Sequence, residues 1–185
     1  MSIQIIQANS SHTPLIAGIG RSSFHDAFSR LFRVSQDIEH YLEHTYSEEK
    51  ISRSLARENN VYFLAFDGTN AVGFTKVKKH SLASQIDSVW QSELQKIYVL
   101  PGAQGAGVGK LLMQEVLKLM EQVQPEYLWL DVIVENDKAR RFYEKTGFTR
   151  HGDHYFTIGS QQFEYDLMKK PIALPVSLSG RKKTG

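Results

Sequence analysis

The spacing of apolar residues along the chain predicts alternating helices and strands. In residues 108–122, apolar side chains recur three and four positions apart, which is typical of a helix with one buried face. Residues 61–66 and 71–79 are rich in aromatic and branched side chains and flank a turn at 67–70, so they predict a β-hairpin. Residues 127–134 are almost continuously apolar, which favours a strand buried on both faces.

Weaker patterns of apolar residues predict the remaining strands and helices. Further strands are expected over residues 3–8, 93–99, 150–158 and 161–168. Further helices are expected over residues 14–28, 37–45, 48–57 and 137–146. The resulting order along the chain predicts an α/β (α+β) fold with a mixed, mostly antiparallel central sheet and helices on both faces.

Composition and charge narrow the class of protein. The 185 residues suit one domain, expected over residues 1–172, with a flexible tail over 173–185. A formal net charge of +2 gives no global field that would select a nucleic acid or a membrane as partner. No apolar run reaches the ~18 residues of a membrane helix. No secretory signal is recognisable at the start, so a cytoplasmic location is expected.

Two further observations bear on metal chemistry. The chain contains no cysteine, which excludes disulfide bonds, thiolate metal ligands and a cysteine nucleophile. Residues 40–44 match the H-x-x-E-H pattern of a group of zinc peptidases. The two histidines and the glutamate fall opposite the apolar face of the predicted helix, so a solvated surface is the better interpretation. No metal site is expected.

The strongest chemical signal lies in residues 97–109, which join the end of a strand, a glycine-rich turn and the start of the long helix. Glycine lets a ligand approach the backbone, and a helix start offers free N–H groups to a phosphate. The segment is not a P-loop, because Gln104 stands where the first glycine is required and Leu111 follows the Gly-Lys pair. It is not a dinucleotide fingerprint either, because Lys110 occupies the third glycine position. For this loop alone, an ordinary tight connection remains the alternative.

The run Gln-Gly-Ala-Gly-Val-Gly at residues 104–109 resembles the coenzyme A pyrophosphate loop of the GNAT superfamily of N-acetyltransferases. A second motif strengthens the resemblance, because Asn136, Ala139 and Tyr143 share one face of the predicted helix that ends at Gly147. The likeness extends over about residues 61–170. The closing hairpin is similar to the bacterial spermidine/spermine branch of the superfamily.

This resemblance implies that acetyl-coenzyme A is the cosubstrate. The residues implied to hold it lie at the end of one strand, in the loop that follows and at the start of a later helix: Ile97, Tyr98, Val99, Gln104, Gly105, Ala106, Gly107, Val108, Gly109, Lys110, Asn136 and Ala139. The amide of Asn136 can serve the pantetheine arm, although Asn is equally favoured as a helix cap.

The strand over residues 93–99 has an irregular phase. Leu94 and Ile97 both look like core residues, yet they cannot share a face of a regular strand. One extra residue near Gln95 or Lys96, a β-bulge, reconciles the two positions. The strand of the resembled superfamily carries such a bulge, whose freed backbone groups pair with the pantetheine arm.

The catalytic roles follow from the needs of acetyl transfer. Tyr143 is the expected general acid, because a phenol can give a proton to the departing thiolate, and the resemblance implies the same role. The backbone N–H of Val99 or a neighbour is expected to stabilise the oxyanion. Glu93 is the candidate base, directly or through water, with an exposed strand-end residue as the alternative. No serine, histidine and aspartate set suggests a covalent intermediate, so direct transfer is expected.

The acceptor is expected to be a small primary amine, and the resemblance favours a polyamine. A peptide or protein amine is one alternative, and a non-catalytic regulatory protein that binds coenzyme A is another. Acidic residues should lie near the amine, and Glu93, Asp87 and Glu43 are the candidates. A homodimer is compatible with the resemblance, since dimers are common in the superfamily.

Overall fold

The computed structural model describes residues 2–173, which form one seven-stranded sheet with helices on both faces. The strands are β1 (Ile3–Gln7), β2 (Asn60–Asp67), β3 (Asn70–Lys78), β4 (Gln91–Val99), β5 (Tyr127–Ile133), β6 (Thr149–Ile158) and β7 (Gln161–Pro171). The helices are α1 (Thr13–Phe28), α2 (Ser35–Thr45), α3 (Glu48–Leu55), α4 (Val108–Val123) and α5 (Asp137–Lys145). The predicted fold class is confirmed. The tail predicted over residues 173–185 lies outside the described residues, apart from Ala173.

The strand order is β1-β2-β3-β4-β5-β7-β6, and every neighbouring pair is antiparallel except β4 and β5. These two parallel strands pair only where Gln91–Glu93 meets Tyr127–Trp129. Beyond that point, β4 continues to Val99 paired with β3, and β5 continues to Ile133 paired with β7. The two strands therefore part. We call the gap between residues 94–99 and 130–133 the fork.

Two apolar cores cover the two faces of the sheet. On one face, α4 and α5 pack against β3, β4 and β5 through buried side chains that include Val77, Leu94, Met113, Val116, Leu128 and Leu130. On the other face, α1, α2 and α3 pack through a second set that includes Ile16, Phe24, Ile38, Tyr46, Leu64 and Phe74. Among residues 2–173, none of the helices is both long and apolar enough to cross a membrane.

The predicted bulge in β4 is confirmed. On β3, Lys76 pairs with Lys96 and the next residue, Val77, pairs with Leu94, so Gln95 is left without a partner residue on β3. The extra residue restores the phase, and both Leu94 and Ile97 pack on the side of α4. A bulge turns local backbone groups away from the ladder, and here it lies one residue beyond the start of the fork.

A tight contact between α1 and the end of α2 gives a stability prediction. A Cβ atom added at Gly20 would clash with Cδ1 of Tyr46, whose side chain is fully buried. We expect Gly20→Ala to lower the free energy of unfolding by about 1–2 kcal/mol, because overpacking outweighs the better helix propensity of alanine. Urea unfolding measures the change.

The matched control lies one half-turn earlier on the same helix. A Cβ atom at the exposed Gly18 would meet no atom within 4 Å, so Gly18→Ala should raise the free energy of unfolding by up to ~1 kcal/mol. Equal unfolding midpoints for Gly20→Ala and Gly18→Ala would show that Tyr46 moves without cost.

Candidate functional site

The glycine-rich loop leaves its backbone open at the start of α4. Gly105 and Gly107 have φ angles of +83° and +82°, which favour glycine, and an added Cβ at either would meet no atom within 4 Å. The N–H group of Leu111 makes the first bond of the helix, to the carbonyl of Gly107. The N–H groups of residues 108–110 precede that bond and have no helical carbonyl to pair with. The loop therefore offers unpaired N–H groups to a ligand, and its role towards a pyrophosphate stays a prediction.

A lysine that the sequence analysis did not single out lies beside this loop. Lys138, in the first turn of α5, donates from Nζ to Oε1 of Gln104 over 2.6 Å. Gln104 in turn donates from Nε2 to the carbonyl of Val99 over 3.2 Å. The exposed Lys110 lies at the same helix start. Two ammonium groups thus accompany the open N–H groups, and the sequence signal for Lys138 was its place between Asn136 and Ala139.

Asn136 is the N-cap of α5, because its Oδ1 accepts the backbone N–H of Ala139 over 3.1 Å. This is the structural alternative that the sequence left open. Ala139 is half-buried against the core on the side of α4. The cap uses only the amide oxygen, so a role of the Asn136 NH2 group towards a ligand stays a prediction.

The three predicted residues at the end of β4 face different sides of the sheet. Ile97 and Val99 pack beside α4, whereas Tyr98 packs against Phe74 and Tyr46 on the opposite face, with ring centroids 5.7 and 6.3 Å away. What the residues share is a backbone edge along the fork, where β5 no longer pairs with them. An extended ligand with amide groups can pair with such an edge.

Tyr143 lies on the buried face of α5 and only 8% of its surface is exposed. Its ring packs edge-on against Phe142 and Phe148, with centroids 5.5 and 5.9 Å away. Burial raises the pKa of the phenol, so the hydroxyl keeps its proton at neutral pH. Burial raises the pKa of Tyr98, and Tyr143 is one of the tyrosines that raise it further.

Glu93 is the last residue of β4 that pairs with β5, and its side chain is only 12% exposed. The alternative of an exposed strand-end residue is therefore wrong. One carboxylate oxygen accepts from Oγ of Ser81 over 2.7 Å and pairs with Nζ of Lys78 over 2.9 Å. The other oxygen accepts from Nε2 of Gln95 over 3.2 Å. The carboxylate is thus already held by three donors. Of the other acidic candidates, Glu43 and Asp87 are both exposed.

The sequence analysis missed a second carboxylate at the base of the fork. Asp131 lies two residues past Trp129, the last residue of β5 that pairs with β4. Its Oδ2 lies 3.0 Å from Nδ1 of His154. Burial raises the pKa of Asp131, and the charge of Glu93 raises it further, while His154 lowers it. The signal in the sequence was a lone carboxylate inside an otherwise apolar strand.

Two half-buried or buried lysines, Lys96 and Lys76, lie side by side on the sheet face covered by α1, α2 and α3. Nζ of Lys96 lies 3.3 Å from the hydroxyl of Tyr46 and 4.9 Å from the centre of its ring. Burial lowers the pKa of Lys96 to about 8. The neighbouring Lys76 is 9% exposed, and burial, together with the charge of Lys96, lowers its pKa to about 7. In the part of the chain that the structure describes, neither ammonium pairs with a carboxylate.

The buried ammonium of Lys76 predicts a pH-dependent stability. Its pKa is about 7 in the folded state and 10.5 in the reference state, so the unfolded chain binds more protons between these values. The free-energy cost of burying the charged Lys76 ammonium is complete below pH 7. The free energy of unfolding should therefore rise as pH increases from 7 towards 10.5. We expect Lys76→Met to raise the free energy of unfolding at pH 7 by up to about 4 kcal/mol, since one pKa unit corresponds to ~1.4 kcal/mol.

Urea unfolding at pH 6.5 and 9.5 measures this effect. The control is Lys118→Met on the exposed face of α4, whose side chain is 65% exposed, and it should change little at either pH. A Lys76→Met variant with the same pH dependence as the unsubstituted protein would show that another group carries the penalty.

No three histidine, cysteine or acidic side chains within residues 2–173 come close enough to hold a metal ion. The H-x-x-E-H residues His40, Glu43 and His44 are exposed on α2. His151 and His154 serve different partners, because Nε2 of His151 meets the carbonyl of Gln85 over 2.9 Å.

Solved structures with the same fold include known acetyltransferases. The PaiA N-acetyltransferase of Thermoplasma acidophilum, crystallised with coenzyme A, has a TM-score of 0.74 and 22% identity, and the match covers 92% of this chain and 99% of that one. The ribosomal-protein-S18-alanine N-acetyltransferase of Escherichia coli has a TM-score of 0.67 and 19% identity, with 94% and 96% covered. These likenesses concern the fold.

Sequence comparison gives the family. An uncharacterized N-acetyltransferase of Lactobacillus delbrueckii subsp. lactis is 28% identical over 171 residues, which are 92% of this chain and 98% of that protein. A mycothiol acetyltransferase of Corynebacterium efficiens is 41% identical over 96 residues, which are 50% of this chain and 29% of that protein. Residues 22–148 match the model of the acetyltransferase (GNAT) family. This match confirms the predicted enzyme class, an acyltransferase with acetyl-coenzyme A as cosubstrate. The chain therefore belongs to the GNAT family of acetyltransferases.

Proposed function

We propose that this acetyltransferase moves the acetyl group of acetyl-coenzyme A directly to a neutral primary amine in a ternary complex, with residues 1–172 acting as one domain in the cytoplasm. The observation that carries the proposal is the fork. It places an unpaired β4 edge directly before a loop whose N–H groups are free. A thioester with a pantetheine arm and a pyrophosphate matches both features.

Different residues of the chain would bind the cosubstrate and transfer the protons in this reaction. The N–H groups of residues 108–110, with Lys110 and Lys138, would hold the pyrophosphate, and the β4 edge would hold the arm. The bound thioester supplies an activated acetyl carbon. The amine nitrogen forms the new bond to that carbon, and the C–S bond breaks. Tyr143 gives its proton to the sulfur, and the proton that the nitrogen loses restores Tyr143 through water.

Two classes of acceptor amine are supported by different observations. The resemblance of the closing hairpin favours a polyamine, and the two half-buried carboxylates of Glu93 and Asp131 support a cationic substrate. The second candidate is an amine that also carries a carboxylate, such as an amino acid or a peptide. It is favoured by the half-buried ammonium of Lys96, which has no carboxylate partner among the described residues and would repel a long polycation.

A thiol-release assay with acetyl-coenzyme A tests the proposal. The acceptor panel is spermidine, spermine, butylamine, lysine, β-alanine and a short peptide, and each is measured beside a thermal shift with coenzyme A. Turnover on spermidine and butylamine, but not on β-alanine, selects the polyamine class. Turnover on β-alanine, but not on spermidine and butylamine, selects the class of amines that also carry a carboxylate.

Two results would contradict the proposed reaction. Stabilisation by coenzyme A without turnover on any amine would favour a regulatory protein that binds the cofactor. No stabilisation by millimolar coenzyme A would remove the cofactor assignment, because a ligand at 100 times its Kd stabilises a protein by about 2.7 kcal/mol.

A further inference from the structure

Two ammonium groups without a counter-ion lie on the face of the sheet that α1, α2 and α3 cover. Lys76 on β3 and Lys96 on β4 pair directly across the two strands, so their side chains leave the sheet beside each other. Within residues 2–173, the two groups have a single hydrogen-bond acceptor between them, the hydroxyl of Tyr46, which lies 3.3 Å from Nζ of Lys96. Like charges at opposed positions repel, and a buried charge without a partner is costly. An anion bound between the two ammonium groups would offset both effects.

The charged groups around these two lysines add to the excess of positive charge. Burial is the main cause that lowers the pKa of both lysines. Lys50 from α3, Arg57 just after α3 and Lys78 from β3 lower the pKa of one or both further, and only Glu93 from β4 raises it. The carboxylate of Glu93 is already held by three donors, one of which is Lys78. The charge around the two lysines therefore stays positive, which favours an anion from outside the chain.

Aromatic rings surround the two ammonium groups and restrict the kind of anion. Nζ of Lys96 lies 4.9 Å from the ring centre of Tyr46 and 5.9 Å from that of Tyr98. Nζ of Lys76 lies 5.6 Å from the ring centre of Tyr62. Burial raises the pKa of all three phenols, so at neutral pH they carry no charge that would repel an anion. Because the cost of taking an ion out of water rises with its charge, these surroundings favour a carboxylate over a doubly charged phosphate.

The position of Lys96 relates this pair of lysines to the fork. Lys96 follows the bulge at Gln95 and precedes Ile97 on the β4 edge that β5 leaves unpaired. Ile97 packs on the side of α4, whereas the half-buried side chain of Lys96 lies on the opposite face, against Tyr46. A cosubstrate held at the start of α4, with its arm in the fork, would present its acetyl group towards that opposite face. An acceptor that approaches the acetyl group there would pass Lys96.

We infer that Lys96 and Lys76 form a subsite for a carboxylate of the acceptor, so the acceptor is an amine that also carries a carboxylate. This inference rests on the proposed function and selects between its two acceptor classes. The carboxylate accepts from the ammonium group of Lys96, and Lys76 adds a second positive charge beneath it. The bound carboxylate offsets the cost of burying the two charges, while the amine of the same molecule stays free to attack the acetyl carbon. Lys96 is then a residue that determines specificity.

The first test compares β-alanine with butylamine, which lacks the carboxylate. In the unsubstituted protein, kcat/KM should be higher for β-alanine. Lys96→Met should raise the KM of β-alanine about 30-fold, because it removes a hydrogen bond between charged partners, and it should leave the KM of butylamine within threefold. Lys76→Met should raise the KM of β-alanine by a smaller factor, because Lys96 keeps its contact with the carboxylate.

The matched control for both variants is Lys118→Met, which removes an exposed ammonium group on α4. It should change the KM of neither acceptor. Turnover that prefers spermidine and butylamine to β-alanine would overturn the inference and leave the proposed reaction intact. A Lys96→Met variant that loses the same factor on β-alanine and on butylamine would overturn it as well, because the loss would then not depend on the carboxylate.

A second measurement uses a carboxylate without an amine, so it does not depend on turnover. Sodium propionate should raise the urea midpoint of the unsubstituted protein at pH 6.5, relative to sodium chloride at equal concentration, because a ligand of the folded state stabilises it. The effect should be much smaller at pH 9.5, above the pKa values of about 7 for Lys76 and about 8 for Lys96.

The double variant Lys76→Met/Lys96→Met should lose this response to propionate. No response in the unsubstituted protein, or an equal response in the double variant, would overturn the inference. If propionate stabilises the unsubstituted protein alone but no amine is turned over, the proposed reaction fails and the carboxylate subsite stands.

Discussion

Replacing Tyr143 by phenylalanine is expected to lower kcat by about 10²–10⁴, the usual contribution of a positioned general acid. The phenyl ring keeps the contacts with Phe142 and Phe148, so the fold should be preserved. Burial raises the pKa of Tyr143, so the phenol is protonated throughout the neutral range. Steady-state kinetics with saturating acetyl-coenzyme A measures the loss, and calorimetry should give an unchanged Kd for coenzyme A.

The control for this variant is Tyr127→Phe. Tyr127 lies at the closed end of β5, with Nζ of Lys169 over its ring at 4.6 Å, and it does not border the fork. Its loss should leave kcat within twofold of the unsubstituted enzyme. If Tyr143→Phe also stayed within twofold, the proton for the sulfur would have to come from water or another residue.

The second large effect is expected at the phosphate loop, where Gly107→Ala should weaken coenzyme A binding about 30-fold. Gly107 has a φ angle of +82°, a conformation that costs alanine ~1–2 kcal/mol. Relaxation of this strain turns the N–H groups before Leu111 away from the phosphates, and hydrogen bonds to charged groups are worth ~1.5–3 kcal/mol each. Titration calorimetry gives the Kd directly.

Gly102→Ala is the matched control in the same loop region. An added Cβ at Gly102 also meets no atom within 4 Å, but its backbone is not in the left-handed region. Binding should therefore be unchanged. Equal Kd values for Gly107→Ala and Gly102→Ala would mean that the loop does not hold the pyrophosphate through its own backbone.

The elements and the glycine-rich connection before α4 could be predicted because their signals are local. Helical spacing over residues 108–122 predicted α4 to within one residue of its end. The conflict between Leu94 and Ile97 predicted a bulge near Gln95 or Lys96, because a strand has a period of two, and the bulge lies at Gln95. The glycines of the loop were informative since Gly105 and Gly107 need φ angles that other residues rarely adopt.

The start of β4 differs from the prediction for a physical reason. The polar stretch over residues 81–91 predicted a loop, and β4 begins at Gln91 rather than Glu93. Gln91 is 2% exposed, and its amide group bonds to backbone groups of Ala83, Ile86 and Ser88. A polar side chain can be buried when it satisfies the backbone of its own loop, and composition does not reveal this.

Glu93 was singled out from the sequence, whereas the contact between Asp131 and His154 was not, because it depends on the order of the strands. Glu93 and Asp131 are 38 positions apart in the sequence, yet Glu93 pairs with Trp129, two residues before Asp131, because β4 and β5 are neighbours in the sheet. His154 reaches Asp131 because β7 lies between β5 and β6. No local spacing encodes that order, so the sequence analysis did not single out Asp131 or His154.

The three-residue ladder between β4 and β5 has a consequence for the order in which substrates bind. As far as strand pairing goes, it is the only seam between a half-sheet of β1 to β4 and a half-sheet of β5 to β7 in residues 2–173. Glu93 and Lys96 belong to the first half, whereas Asp131 and His154 belong to the second. A cofactor bound in the gap between β4 and β5 would fix the distance between the two half-sheets. The side chains of the two halves that flank the amine would be correctly placed only after the cofactor has bound. We therefore expect ordered addition, in which the thioester binds first and the amine second.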